Sequence, residues 1–418
     1  MSNFLLMLKQ DKKSLFAGFL CFVFFALFLI EKKSYSLVML GMVIFSLWTF
    51  QSWWKSEKDP DVKKLAWYFL VLAIVWGHSF DGLFSWSNEG DLLARYGLGA
   101  LLLLPFARAG VGYKFLFRGV ACGAIFSGIY ALIQFPELGR AEGFTNAIRF
   151  GNIALLMSVF LVIYAISLKK ITAESLFCIF AAIMGLTASL LSLSRGGWIF
   201  LFLMPFILIF MFEGKKMRMK ALASFVGLGV FAVLILSQVD FFQHRVLLAK
   251  QEVQGYFHDK EKYVETSVGA RLEQWQLAWK LGMEKPVFGW GERGIQEGRK
   301  QMVEHGEAHA SALTIPHAHH DFLEMWAVRG FVGMVFLIFI YMVPFCIFFP
   351  NQKKISAVPE EKRSIARALY MSGMCIPLAY FVFGLTDVFF NLTIGHVFMI
   401  FSIIFIMSAI QGIKNAES

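Results

Sequence analysis

Charged side chains are scarce in this chain. They make up 16% of its 418 residues, against roughly 25% in a soluble globular protein. Hydrophobic residues reach 58% and aromatic residues 17%, with 47 Phe. So little polar surface cannot cover so large an apolar core, which excludes a water-soluble globule. Cysteine is scarce too. Cys21, Cys122, Cys178, Cys346 and Cys375 all fall inside apolar runs at scattered spacing, which argues against a disulfide frame or a thiolate metal site. There is no internal repeat and no low-complexity segment. What is present in quantity is the long apolar run, and the composition is that of an all-α integral membrane protein.

A helix needs about 20 mostly apolar residues to cross a bilayer. Twelve stretches qualify as candidates: about 15–30, 35–54, 65–84, 92–107, 115–135, 150–168, 175–193, 197–212, 221–239, 322–349, 367–386 and 392–411. The first follows Lys9, Lys12 and Lys13 as a signal peptide would. Only Glu31-Lys32-Lys33 follows it, without a small-residue cleavage site, so a retained helix is expected. Lys and Arg orient the set. Lys55, Lys58, Lys63, Lys64, Arg108, Lys114, Lys169, Lys170, Lys215, Lys216, Arg218, Lys220, Lys353, Lys354, Lys362 and Arg363 fall on one side. The short loops of the other side carry only Lys32, Lys33, Arg140, Arg149 and Arg195. By the positive-inside rule both termini are cytoplasmic. The net charge of +10 then reflects topology and gives no reason to expect nucleic acid.

The chain divides into 1–239 with nine spans, a hydrophilic outer loop at 240–321, and 322–418 with three more, one membrane domain overall. The loop holds ten Lys and Arg against twelve Asp and Glu, and seven of the nine His. It is no basic patch, so a nucleic-acid partner is not expected. A loop of this length is usually functional or disordered, and its contents favour function. Leu272, Trp275 and Trp279 share one helical face, Pro286 ends that helix, and Phe288-Gly289-Trp290-Gly291 reads as a turn. Two Trp on one face suit a helix lying on the membrane surface or against the bundle.

Three constellations on the outer side carry possible chemistry. Arg140 and Arg149 flank the sixth span, and Arg195 sits in Ser194-Arg195-Gly196-Gly197-Trp198 between two apolar runs. Such an Arg either snorkels to anchor a helix end or offers its fork to a phosphate or carboxylate. Arg271 stands in Gly269-Ala270-Arg271, at the start of the amphipathic helix or on a merely solvated face of it. His317-Ala318-His319-His320-Asp321 marks the return to the membrane, followed by Glu324. Its readings are a metal site, a polar or pH-sensitive re-entry, or a general base tuned by Asp321 or Glu324. Zinc spacings are absent, so no metal ligands are assigned. His305 and His309 read as ordinary exposed residues. Asp387, at the outer end of the eleventh span, is a supporting residue that could pair with an arginine, orient His319 or simply face water.

In order and spacing these blocks resemble the O-antigen ligase and polymerase superfamily of bacterial inner membranes. The resemblance rests on Ser194–Trp198; on Gly269-Ala270-Arg271 with Trp275, Pro286 and Gly289-Trp290-Gly291; and on His317–Leu323 leading to Gly330-Phe331-Val332-Gly333. It covers roughly 135–340 by motif and the whole chain by topology. Gly139–Gly143 and Phe150-Gly151-Asn152 look more like the ligase branch. One departure is His320, where the family commonly has Asn; it leaves His317 and His320 as rivals to His319.

The resemblance implies a GT-C-like helical fold of about twelve spans with a large periplasmic loop containing short helices. It implies a metal-independent, inverting glycosyltransferase without cofactor. The donor would be a glycan on undecaprenyl diphosphate and the acceptor a sugar hydroxyl of lipid A–core. His319, with His317 as alternative, would be the base; Arg195 and Arg271, then Arg140 and Arg149, would hold the diphosphate. A polymerase or a protein O-oligosaccharyltransferase would use the same donor. A twelve-helix transporter is the reading from another class, disfavoured by charges gathered at one surface and a loop that does not separate two halves of six.

Overall fold

The computed structural model describes residues 12–49, 58–77, 88–212, 214–236, 240–391 and 393–415. Among the described residues there are helices and turns and no strand. The first part holds α1 (Lys12–Leu27), α2 (Ser34–Trp48), α3 (Pro60–Gly77), α4 (Asn88–Ala109), α5 (Tyr113–Leu138), α6 (Ala147–Ser167), α7 (Ala173–Leu191), α8 (Ile199–Leu208) and α9 (Lys215–Leu236). Then come α10 (Asp240–His258), α11 (Lys260–Tyr263), α12 (Ser267–Glu284) and α13 (Gly291–Glu304). The chain closes with α14 (Asp321–Phe348), α15 (Gln352–Ser356), α16 (Arg363–Phe383) and α17 (Thr393–Lys414).

Each of the twelve expected spans overlaps a helical stretch. Among the described residues six are long and apolar enough to cross a membrane by length and composition: α5, α6, α7, α14, Glu360–Phe383 and α17. Ser34–Trp48 and Arg195–Met211 are apolar but shorter. The chain is thus helical, with several apolar helices of a multi-pass membrane protein. The third span starts earlier than hydropathy suggests. Pro60 opens α3, where a missing N–H costs nothing, and Asp59 accepts the Asp61 N–H at 2.8 Å. Its expected end at 84 lies outside the described residues.

Local chemistry sets the ends that matter for the site. Asn146 caps α6 by accepting the Arg149 N–H at 2.9 Å, and Thr266 caps α12 by accepting Gly269 N–H at 3.1 Å. Thr172 and Ser175 form a reciprocal capping box on α7. Pro286 stops α12 at Glu284 because the residue before a proline avoids helical geometry. In the bundle, α6, α16 and α17 are the most buried helices, and α17 is buried almost throughout.

The 240–321 segment is a packed helical unit. Leu277, Ala278, Leu281, Ile295, Met302 and Ala318 form a small core with Ala327 and Val328 of α14. The Trp face of α12 is only partly covered, with Trp279 exposed. Trp279 meets Trp326 with ring centroids 5.8 Å apart, and Trp275 meets His320 edge-on at 5.5 Å.

Two motif blocks distant in sequence meet at a break in α14. Gly330 there has φ 60° and ψ −152°, a region open essentially to glycine alone. The break frees backbone donors, and the turn after α12 takes them. Phe331 N–H donates to Pro286 O at 2.7 Å and Val332 N–H to Val287 O at 3.2 Å, while Trp290 N–H donates to Ala327 O at 3.0 Å. A Cβ on Gly289 would lie 2.3 Å from the Val328 carbonyl carbon, so glycine permits this contact.

Candidate functional site

Polar side chains from five stretches gather at one end of the bundle. Arg149 comes from the first turn of α6, Arg195 from the turn after α7, Arg271 from α12, His317 and His319 from the approach to α14, and Asp387 from the α16–α17 connection. Asp387 joins them. Its carboxylate is 1% exposed, with Oδ1 3.4 Å from His319 Nδ1 and Oδ2 3.3 Å from Arg149 Nη2. Both distances exceed the roughly 2.7–2.9 Å of a tight charge-assisted bond, leaving room for small movements when a substrate arrives. Burial pushes the Asp387 carboxyl up, but the hydrogen bond from His319, the Arg149 charge and the Val388 N–H outweigh it and hold it below the ordinary range. It stays ionised, and a water-facing Asp387 is ruled out.

His319 has φ 49°, an uncommon conformation for a residue other than glycine. Surrounding bonds hold it there. Asp321 N–H donates to Gly384 O at 2.7 Å, tying the loop to the segment that carries Asp387. Ala318 N–H donates to Glu324 Oε2 at 2.7 Å. Arg299, 1% exposed, donates to Gln274 Oε1 at 3.0 Å and to Ile315 O at 2.8 Å, and its Nη2 lies 3.9 Å from Glu324 Oε2. Gln274 in turn donates to Ala312 O at 2.9 Å. This clamp fixes both sides of the His317–His319 backbone. Sequence reading did not single out Arg299 or Gln274, because they are distant in sequence from the loop they hold.

The three clustered histidines separate by environment. His320 is the N-cap of α14; its Nδ1 accepts the Leu323 N–H at 3.5 Å and its ring rests on Trp275. Burial pushes its imidazole down. His317 packs edge-on against His319, with centroids 4.3 Å apart, and its buried Nδ1 makes no hydrogen bond within the protein. Burial first, then the His319, Arg149 and Arg299 charges against the pull of Asp387, bring the His317 imidazole down to about 4. All three are partly exposed, but of the three it is His319 that meets the Asp387 carboxylate, with its side chain at 27%. Asp321 and Glu324, the partners expected from sequence proximity, are engaged elsewhere: Asp321 with the Tyr341 hydroxyl at 3.3 Å, Glu324 as described.

The arginine-bearing turn fits between two neighbours. A Cβ on Gly196 would lie 2.0 Å from Thr386 Oγ1, and one on Gly197 2.0 Å from Asn152 Oδ1. Glycine at both positions lets the turn press against α6 and the α16–α17 connection, leaving Arg195 exposed. Both polar side-chain atoms of Asn152 are buried without a hydrogen-bond partner in the protein. Arg271 is half-buried. Burial lowers its guanidinium, Asp387 raises it and Arg195 lowers it, so both charges are near enough to act on it. An arginine stays charged through such shifts.

One expected site residue falls elsewhere, and one residue expected to be merely exposed is not. Arg140 Nε lies 3.8 Å from Glu142 Oε1 at the surface, both side chains more than two-fifths exposed. His309 is not an ordinary exposed residue. It caps the turn Ala310–Leu313, its N–H donates to Glu273 Oε1 at 2.6 Å, and its Nε2 is 3.2 Å from Glu261 Oε2. His305 is exposed, as expected. Among the described residues no three His, Cys, Asp or Glu side chains converge as metal ligands would.

Residues 179–338 match the family model described as O-Antigen ligase. The match runs from α7 into α14 and contains Arg195, Arg271, His317 and His319, while Arg149 and Asp387 lie outside it. A protein of Haemophilus influenzae described as uncharacterized is 29% identical over 354 residues, covering 82% of this chain and 87% of the relative. Across the matched region the chain is thus similar to the O-antigen ligase family.

Proposed function

We propose that this protein transfers a glycan from undecaprenyl diphosphate to a sugar hydroxyl of lipid A–core, on the periplasmic face of the inner membrane. The observation that carries the reading is the His319–Asp387–Arg149 arrangement at the same end of the bundle as Arg195 and Arg271. An ionised Asp387 favours the His319 tautomer that carries its proton on Nδ1. Nε2 then keeps a lone pair with which to take a proton.

In the proposed reaction His319 Nε2 removes the proton of the acceptor hydroxyl as that oxygen attacks the anomeric carbon. The bond from that carbon to the diphosphate oxygen breaks, and the electron pair leaves with undecaprenyl diphosphate. In-line attack inverts the anomeric centre. Arg195 and Arg271 stabilise the growing charge on the leaving group. Arg149 holds Asp387 and, through it, orients His319. Arginines supply the positive charge here, so the proposal requires no metal. The glycan arrives already activated on its lipid, so no nucleotide is needed.

The test is a transfer assay with purified protein, undecaprenyl-diphosphate-linked glycan, lipid A–core and chelator. A gel shift of the core that requires both substrates is expected. Lengthening of the lipid-linked glycan alone would make the protein a polymerase. Loss of activity with chelator, restored by zinc, would overturn the metal-free mechanism.

A further inference from the structure

A second site lies at the opposite end of α14, far from His319. One face of α3, at Lys64, Trp67, Tyr68 and Val71, is spaced at three and four residues and turns toward a matching face of α14 at Phe339, Met342, Val343, Cys346 and Ile347. The helices touch where the Tyr68 hydroxyl donates to Ile340 O at 2.9 Å. That carbonyl is available because Pro344, four residues on, has no N–H to give it. A hydroxyl from the neighbouring helix satisfies what the proline leaves open, as apolar surroundings demand.

Beyond this contact the helices enclose a groove of about 660 Å³. Its walls are largely apolar, and Trp67 and Met342 are 69% and 48% exposed, so it opens sideways between the helices. Its mouth is polar. Lys354 Nζ lies 2.9 Å from Asp61 Oδ2 and also reaches Ile347 O, while Lys64, with a 66% exposed side chain, sits 3.9 Å from Asp61 Oδ1. Two ammonium groups share one carboxylate, and Lys353 adjoins Lys354. The mouth is therefore positive, with an exposed Trp beside it, a residue type that collects at membrane interfaces.

We infer that this groove binds an anionic phospholipid, with an acyl chain between α3 and α14 and the headgroup phosphate at Lys64 and Lys354. Apolar walls open to the side exclude a soluble phosphate as the natural occupant, and the positive mouth selects anionic over zwitterionic headgroups. The inference is independent of the transfer chemistry proposed for the other end.

Cys346 is exposed and lines the groove, so it reports occupancy. The full-length protein would be placed in nanodiscs of phosphatidylglycerol or of phosphatidylcholine, and alkylation of Cys346 by N-ethylmaleimide followed by peptide mass. Phosphatidylglycerol is expected to slow alkylation at least about fivefold relative to phosphatidylcholine. Native mass spectrometry should find phosphatidylglycerol retained on the wild type and on Lys63→Glu, whose exposed side chain lies outside the groove, and lost from Lys64→Glu. Equal protection by both lipids, protection of detergent-solubilised protein by inorganic phosphate alone, or equal losses in the two variants would each overturn the inference. The wild-type comparison needs no variant to fold.

Discussion

His319 and His320 are adjacent, yet their surroundings give them different work. His320 spends its Nδ1 on a helix cap and its ring on Trp275, whereas His319 turns toward Asp387. Asn is among the best N-caps, so the His in the position where the resemblance expects Asn does the cap's job with a different side chain. His319→Ala is therefore expected to lower transfer by about 10²–10⁴, the usual worth of a positioned base. His320→Asn should keep most activity, and initial rates of the two variants at equal membrane levels check both. Full activity in His319→Ala would remove that residue from the mechanism. Arg195→Ala and Arg271→Ala should each cost about 10²–10³ in rate, as loss of a charge-stabilising donor does. The same assay at saturating acceptor reads this effect. Motif reading singled out these residues as candidates by type, but Asp387 stood only as a supporting residue, because nothing in the sequence shows that position 387 returns to position 319.

Breaks in helices do as much here as the helices. α14 reads in the sequence as one long apolar run, and its break at Gly330 is visible beforehand only as a glycine. The partner of the break is Pro286–Gly289, some forty positions earlier, and local pattern cannot reveal such a pairing. Gly330→Ala puts a Cβ 2.6 Å from the Val287 carbonyl carbon at a glycine-only backbone conformation. We expect a loss of about 1–3 kcal/mol or more, seen as a lower melting temperature of the purified protein. Retention of the wild-type melting temperature would show that the break is not needed. In the 240–321 segment the helix carrying Trp275 and Trp279 was legible from its periodicity. The segment's own core was not, because Ala318, Ala327 and Val328 reach it from beyond the loop.

The whole molecule has an acid-sensitive point at His317. Its imidazole titrates near 4 when folded against an ordinary 6.5. Between those values the unfolded chain binds more protons than the folded one, so this group's contribution to stability falls as pH drops from 6.5 toward 4. Asp387, held below its ordinary 3.8, stays ionised across that window and does not offset the loss. Amide protection factors in 309–320, corrected for the intrinsic pH dependence of exchange, should fall as pH drops over this range, and His317→Gln should flatten the dependence.

Composition and apolar run length by themselves determined a helical membrane protein, since hydrophobic burial depends on amounts and on local periodicity. Motif order pointed to the superfamily for the same reason: it is written along the chain. What only the tertiary structure decided is which charges meet. A buried carboxylate is set by neighbours brought from separate stretches, Arg149 and His319 foremost, and an ion pair depends on distances in space that sequence separation does not encode.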